Sequence, residues 1–165
     1  MVQIRWEGFG GNLVQLQSQL ERGLTGASGR AVFLMDSAGR LLTLVGDPPK
    51  FDLTTFVSLM AADFCATREL ARLLGEDAFH TAFHQGDEYA LYLTQVTEGT
   101  ILAMVFDHET TLGLVRFAVR QSLPGLSDTI RQGYEDSQGA PSIEDGFQEE
   151  AMDRMDQLFG TSGQA

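Results

Sequence analysis

Cysteine is almost missing from this chain. Cys65 stands alone among 165 residues, so no intrachain disulfide can form, and one thiol without Cys or His neighbours at ligand spacing makes no zinc site. A reducing cytosol is the expected setting. Basic residues are scarce as well: 11 Lys and Arg face 23 Asp and Glu, leaving a formal charge of -12 and a pI near 4.4. That balance repels phosphate backbones and anionic membrane surfaces, which excludes nucleic acid as a partner. Long apolar runs are absent too. Residues 1–11 carry Arg5, Trp6 and Glu7, so they are expected to form neither a signal peptide nor a membrane anchor, and no membrane insertion is expected.

The motifs of catalysis are also lacking. No G-x-x-x-x-G-K-[ST] stretch occurs, and Gly8-Phe9-Gly10-Gly11 fails as a dinucleotide loop because Leu13 stands at the sixth place and no strand precedes it. A flexible leader is the plainer reading. No G-x-S-x-G elbow presents a nucleophile. His80 and His84 fall in a strand pattern, where four steps separate them by about 13 Å, too far for one metal ion, and His108 has no assigned place beside them. Cys65 shares a helix flank with Arg68 and Arg72, but a small packing residue explains it better than a reactive thiol. Neither catalytic residue, cofactor nor metal is expected.

What is present is a regular succession of elements. Asn12 precedes Leu13, Leu16, Leu20 and Leu24, an apolar stripe on a helix with Asn12 as N-cap, ended by the glycines around Leu24. Two apolar runs, 31–35 and 41–45, flank Asp36-Ser37-Ala38-Gly39, which has type I turn chemistry and predicts a hairpin buried on both faces. Asp47-Pro48-Pro49 breaks the chain, and 52–74 reads as a long helix stopped at Gly75. Phe79, Thr81 and Phe83 alternate with His80, Ala82 and His84 in a half-exposed strand; 89–96 and 100–106 add two more about a turn at Glu98-Gly99, the latter suited to a central position. A last helix starts at Thr111 with Leu112, Val115, Val119 and Ser122, and Pro124-Gly125 is expected to kink or break it. The order is helix, two strands, helix, three strands, helix.

Past Gly133 the composition shifts. Residues 135–165 hold eight acids against the single Arg154, so most of the net charge lies there. The domain is therefore assigned to 1–133, followed over 134–165 by an acidic linker containing Ser137, Gln138, Gly139, Ala140 and Pro141 and then a short amphipathic helix. Phe147, Ala151, Met155, Leu158 and Phe159 supply its apolar positions.

Two features ask for a partner. On the second helix, Leu59, Ala66, Leu70 and Leu73 form one apolar flank, and Val57, Met60, Phe64, Ala71 and Leu74 another; together they span more than one sheet face can cover. The first or last helix could cover the surplus, or a second protein could. The strand at 79–84 leaves open backbone groups if it lies at a sheet edge. A two-fold dimer answers both needs, with Phe56, Met60 and Phe64 of the helix and Phe79, Thr81 and Phe83 of the strand at its interface. Ala61, Ala62, Cys65, Arg68, Glu69 and Arg72 form the less greasy strip of the helix. A solvated face is its bland reading; small residues flanked by two arginines also let another protein approach closely.

Leu70-Ala71-Arg72-Leu73-Leu74-Gly75-Glu76, Phe83-His84-Gln85-Gly86, Leu91-Tyr92-Leu93, and Phe106-Asp107 followed by Thr111-Leu112-Gly113-Leu114-Val115-Arg116 resemble the bacterial roadblock family, and within it the MglB-like GTPase activators. The likeness runs in order from about Arg30 to Gln121, and Met155-Asp156-Gln157-Leu158-Phe159 looks like the acidic end of some of these proteins. It implies an α+β sandwich: a five-stranded antiparallel sheet with helices on both faces, dimerised through the second helix and third strand. It further implies a small Ras-like, MglA-like GTPase as partner, hydrolysis stimulated without an arginine finger, and a role in cell polarity or motility that includes recruitment to a cell pole. A roadblock adaptor that binds without changing turnover is the alternative. On this reading the strip just named and Met155, Leu158 and Phe159 touch the partner. A small-ligand site at the His84-Gln85-Gly86-Asp87 turn is a third possibility, to be recognised by a cavity with convergent polar groups.

Overall fold

A computed structural model describes residues 10–139. Helix α1 spans Gly10–Ala27, strands β1 and β2 Ala31–Asp36 and Leu41–Gly46, helix α2 Leu53–Leu73, strands β3, β4 and β5 Thr81–Gln85, Tyr89–Thr97 and Thr100–Asp107, and helix α3 Leu112–Gly139. The expected order holds. All neighbouring strands run antiparallel in the sequence β2-β1-β5-β4-β3, which puts the unbroken apolar run of β5 in the middle and β3 at an edge.

The pleat of the strands divides the core in two. Val32, Leu34, Leu102 and Met104 face α1 and α3, meeting Leu16, Leu20, Val115, Val119 and Ile130. Phe33, Met35, Leu93, Ala103 and Val105 face the other way, under Val57, Met60 and Phe64 of α2. Pairing sets Phe33, Ala103 and Leu93 abreast across β1, β5 and β4. Strand β1 is buried on both faces, as its apolar run implies, whereas β2, at the other edge, is mostly half-buried.

Local chemistry fixes the element ends. Asp36 holds the first hairpin: its buried carboxylate accepts from the backbone N–H of Ala38 at 3.0 Å and of Arg40 at 2.8 Å, and pairs with Arg40 Nε at 2.7 Å. Asp52 caps α2 by accepting from the Thr55 N–H at 2.6 Å, and that hydrogen bond holds its carboxyl below the usual range. At the far end Glu76 N–H reaches the Ala71 carbonyl and Gly75 N–H that of Arg72, with Gly75 at φ 75°, a Schellman closure.

Four points depart from expectation. Asn12 lies inside α1 rather than at its cap, and its side chain reaches Asp136 at 3.4 Å. The helix also runs past Gly23 and Gly26 and ends at Ser28, which takes the left-handed turn at φ 52° while Gly29 N–H closes onto the Leu24 carbonyl. The glycines serve packing instead: a Cβ on Gly23 would come within 2.8 Å of Ser122 Oγ on α3. Nor does Pro124 break α3. Buried Val119, Leu126 and Ile130 pin both halves to one sheet face, and the carbonyl that loses its donor belongs to exposed Arg120, within reach of water. The same helix crosses residue 133, so 134–139 continue it rather than begin a linker. The amphipathic segment 147–159 and residues 1–9 lie outside the described residues, while Gly10 and Gly11, read as part of a flexible leader, open α1.

Candidate protein-docking surface

Helix α2 has two apolar sides. At about 100° per residue, Val57, Met60, Ala61, Phe64 and Ala71 share one side, and these are the residues buried on the sheet. Leu59, Ala66, Leu70 and Leu73 share the opposite side and point to solvent, with Leu59 63%, Leu70 55% and Leu73 83% exposed. Helices α1 and α3 do not cover them, because both pack on the far face of the sheet. Among the described residues nothing covers this aligned apolar stripe, which makes it a candidate contact surface.

This placement corrects two groups of expected contacts. Met60 and Phe64, assigned to the dimer interface, are spent inside the protomer at 3% and 1% exposed, and Ala61, assigned to the partner strip, is buried beside them. Periodicity reveals two apolar flanks but not which one meets the sheet. Phe56 is half-buried, its ring 4.2 Å from that of Phe51 and 5.4 Å from that of Phe33. Leu74, grouped with the buried flank, is exposed because it caps the helix after the last regular turn.

The rest of the strip does lie at the surface. Ala62, Glu69 and Arg72 are exposed, and Cys65 and Arg68 half-buried. Arg72 forms an ion pair with Glu69 one turn before it. Cys65 turns its thiol towards the Ser37 carbonyl of the first hairpin, 3.8 Å away. Ala62 and Glu69 border the leucine stripe, so apolar and charged contacts adjoin. Met155, Leu158 and Phe159 lie outside the described residues.

Strand β3 extends this surface. Among the described residues it pairs with β4 alone, leaving its outer edge open. It starts at Thr81, two residues later than the alternation suggested, with Phe79 half-buried ahead of it. Thr81 and Phe83 are exposed, and the Phe83 ring stacks 6.3 Å from Phe106 on the α1 and α3 side. On the α2 side His84 Nε2 lies 2.7 Å from Asp63 Oδ2. Because Asp63 flanks the leucine stripe on the helix, this contact sets the stripe beside the open edge.

Three clefts adjoin the surface. One, of about 400 Å³, is polar and includes Arg68, Arg72, Asp77, His80, Gln95 and Glu98. Another, of about 320 Å³, lies by His84, Gln85 and Gly86, but Pro49, Phe51, Phe56, Leu91 and Val105 make its walls apolar. Convergent polar groups of the kind a small-ligand site needs do not line it, but a third cleft of about 250 Å³ at the same turn gathers Gln85, Asp87, Glu88, Asp107, His108 and Thr110 beside Phe83 and Phe106. Among the described residues no cluster of three or more His, Cys, Asp or Glu could hold a metal ion, and no helix is long and apolar enough to cross a membrane.

Residues 16–106 match the Roadblock/LC7 domain. The chain belongs to the Roadblock/LC7 family. The roadblock order α-β-β-α-β-β-β-α is the one observed, and the likeness to MglB expected from the quoted motifs is also met. Myxococcus xanthus MglB is 32% identical, with a TM-score of 0.68 over 72% of this chain and 96% of that one. The gliding protein MglB of Thermus thermophilus is 29% identical, with a TM-score of 0.70 over 74% and 93%. An MglB with a tetrameric arrangement gives 29% and 0.71 over 75% and 93%. No curated protein matches the chain.

Proposed function

We propose that this roadblock protein is a homodimeric regulator of a small Ras-like, MglA-like GTPase, and that it stimulates GTP hydrolysis by binding across the switch regions. The observation that carries the reading is the outward leucine stripe of α2 beside the open edge of β3, in a chain with MglB-like kinship. Leu59, Leu70 and Leu73, with Thr81 and Phe83, would meet their copies across a two-fold axis, pairing the β3 edges into a continuous sheet. Ala62, Cys65, Arg68, Glu69 and Arg72 would then line a shared platform for the GTPase.

On that platform the regulator adds no reacting group. Arg72 is already engaged by Glu69, which suits a contact residue better than a free arginine finger. Stimulation would come from ordering the GTPase's own catalytic groups, a matter of positioning and electrostatic pre-organisation. Action in the cytoplasm, with recruitment to a cell pole in polarity or gliding control, belongs to the same reading. Phosphate release by a Ras-like GTPase from the same organism tests it. Acceleration at saturating roadblock protein is expected; tight binding with unchanged turnover selects the adaptor alternative, and no binding removes both.

A further inference from the structure

On the face opposite α2, a cleft of about 370 Å³ runs between α1 and α3. Gly23, Gly26 and Gly125 keep its floor low, and Leu114 and Phe117 wall it on the α3 side. Phe117 is 62% and Leu114 41% exposed, so this wall is an apolar surface without a cover among the described residues. Arg22 lines the α1 side with no carboxylate within ion-pair distance among the described residues.

We propose that the cleft is the seat of the chain's own acidic segment 147–159. The chain leaves the described structure at Gly139, the end of α3, and so emerges in the same layer as the cleft rather than on the α2 face. Reach and length agree. Gly125 lies about 21 Å back along α3 at the helical rise, and the eight residues from Gly139 to Phe147 span about 26 Å when extended. From Phe147 to Phe159 a helix is about 18 Å long, against about 16 Å of wall between Gly125 and Leu114.

The chemistry matches as well. Phe147, Ala151, Met155 and Leu158 fall on one side of such a helix and can cover Phe117 and Leu114 while the floor glycines admit close approach. Glu150 borders that side, giving Arg22 a carboxylate partner. Tethering raises the local concentration of the segment to about the millimolar range, so a modest interface suffices to hold it. The seat places Met155 and Leu158, which the resemblance assigned to the GTPase, on the protein's own surface instead and leaves the α2 contacts of the GTPase reading unchanged.

Hydrogen exchange on the full chain tests this. In the wild type, amides of 143–159 should exchange about tenfold or more slowly than free peptide. Phe117→Glu removes the apolar wall, and Gly26→Gln fills the mouth of the cleft, where a Cβ meets only Ala118 at 3.8 Å. Both variants should release the tail to free-peptide rates while melting temperature and circular dichroism show the domain intact. Free-peptide exchange in the wild type overturns the proposal, as does protection that survives both variants. Protection lost on dilution assigns the segment to a second copy and equally overturns a seat on its own chain.

Discussion

Replacing Leu70 and Leu73 with serine separates the stability of the protomer from its self-association. Both side chains point away from the sheet, 55% and 83% exposed, so their loss leaves either core cluster unchanged. Burying a leucine fully is worth about 1.5–3 kcal/mol, and scaling by these exposures gives roughly 2–4 kcal/mol per copy if the interface covers all of it. A two-fold interface counts each change twice. If only half of the exposed area is covered, about 2–4 kcal/mol remains for the pair, which raises the dimer dissociation constant by about 30-fold to 1,000-fold. Sedimentation equilibrium over a concentration series reads that shift directly, and urea unfolding of the dissociated variant should follow that of dissociated wild type. A double variant that associates as tightly as the wild type would refute the assignment of the leucine stripe to the dimer, as would wild-type protein that stays monomeric at high concentration.

Other outcomes follow from the same placement. Glu69→Ala with Arg72→Ala should weaken binding of the GTPase by about tenfold without altering the dimer mass in light scattering. Phe64→Ala should lower unfolding free energy by about 3–5 kcal/mol in urea titration, because its ring is inside the protomer; an effect on association alone would put it back at the interface. Asp36→Ala leaves two backbone N–H groups and Arg40 without their acceptor and should cost about 2–3 kcal/mol by the same assay. Asp52→Ala should be destabilising at neutral pH. Since capping lowers the folded-state pKa of Asp52, its contribution is present above the unfolded carboxylate value and fades as pH falls through the folded one, so wild type and variant should converge in acid melts.

Most of the fold was legible because its signals are local. Asp36 to Gly39 carries its own turn chemistry, Asp52 and Gly75 bound α2 by hydrogen bonds made within a few residues, and the continuous apolar run of β5 reports a strand with neighbours on both sides. The misjudged points depend on distant partners. Gly23 and Gly26 look like helix terminators until Ser122 and Ala118 of α3 are seen against them. Pro124 looks like a break until the anchoring of Val119 and Ile130 is known. The candidate docking surface was half legible for the same reason: spacing exposed two apolar flanks on α2, yet only the packing of Met60 and Phe64 beneath the helix shows that the leucine flank is the outward one. The cleft between α1 and α3 left no sequence signal beyond scattered glycines, because its walls come from residues about 100 positions apart.

Site-specific photocross-linking to the GTP-loaded GTPase tests the claim that α2 carries the function. A photoreactive residue at Ala62, on the outer strip of α2, should cross-link to the GTPase in good yield, and one at Phe117, on the opposite face, should not. Equal yields at both positions, or cross-linking at Phe117 alone, would contradict docking through α2.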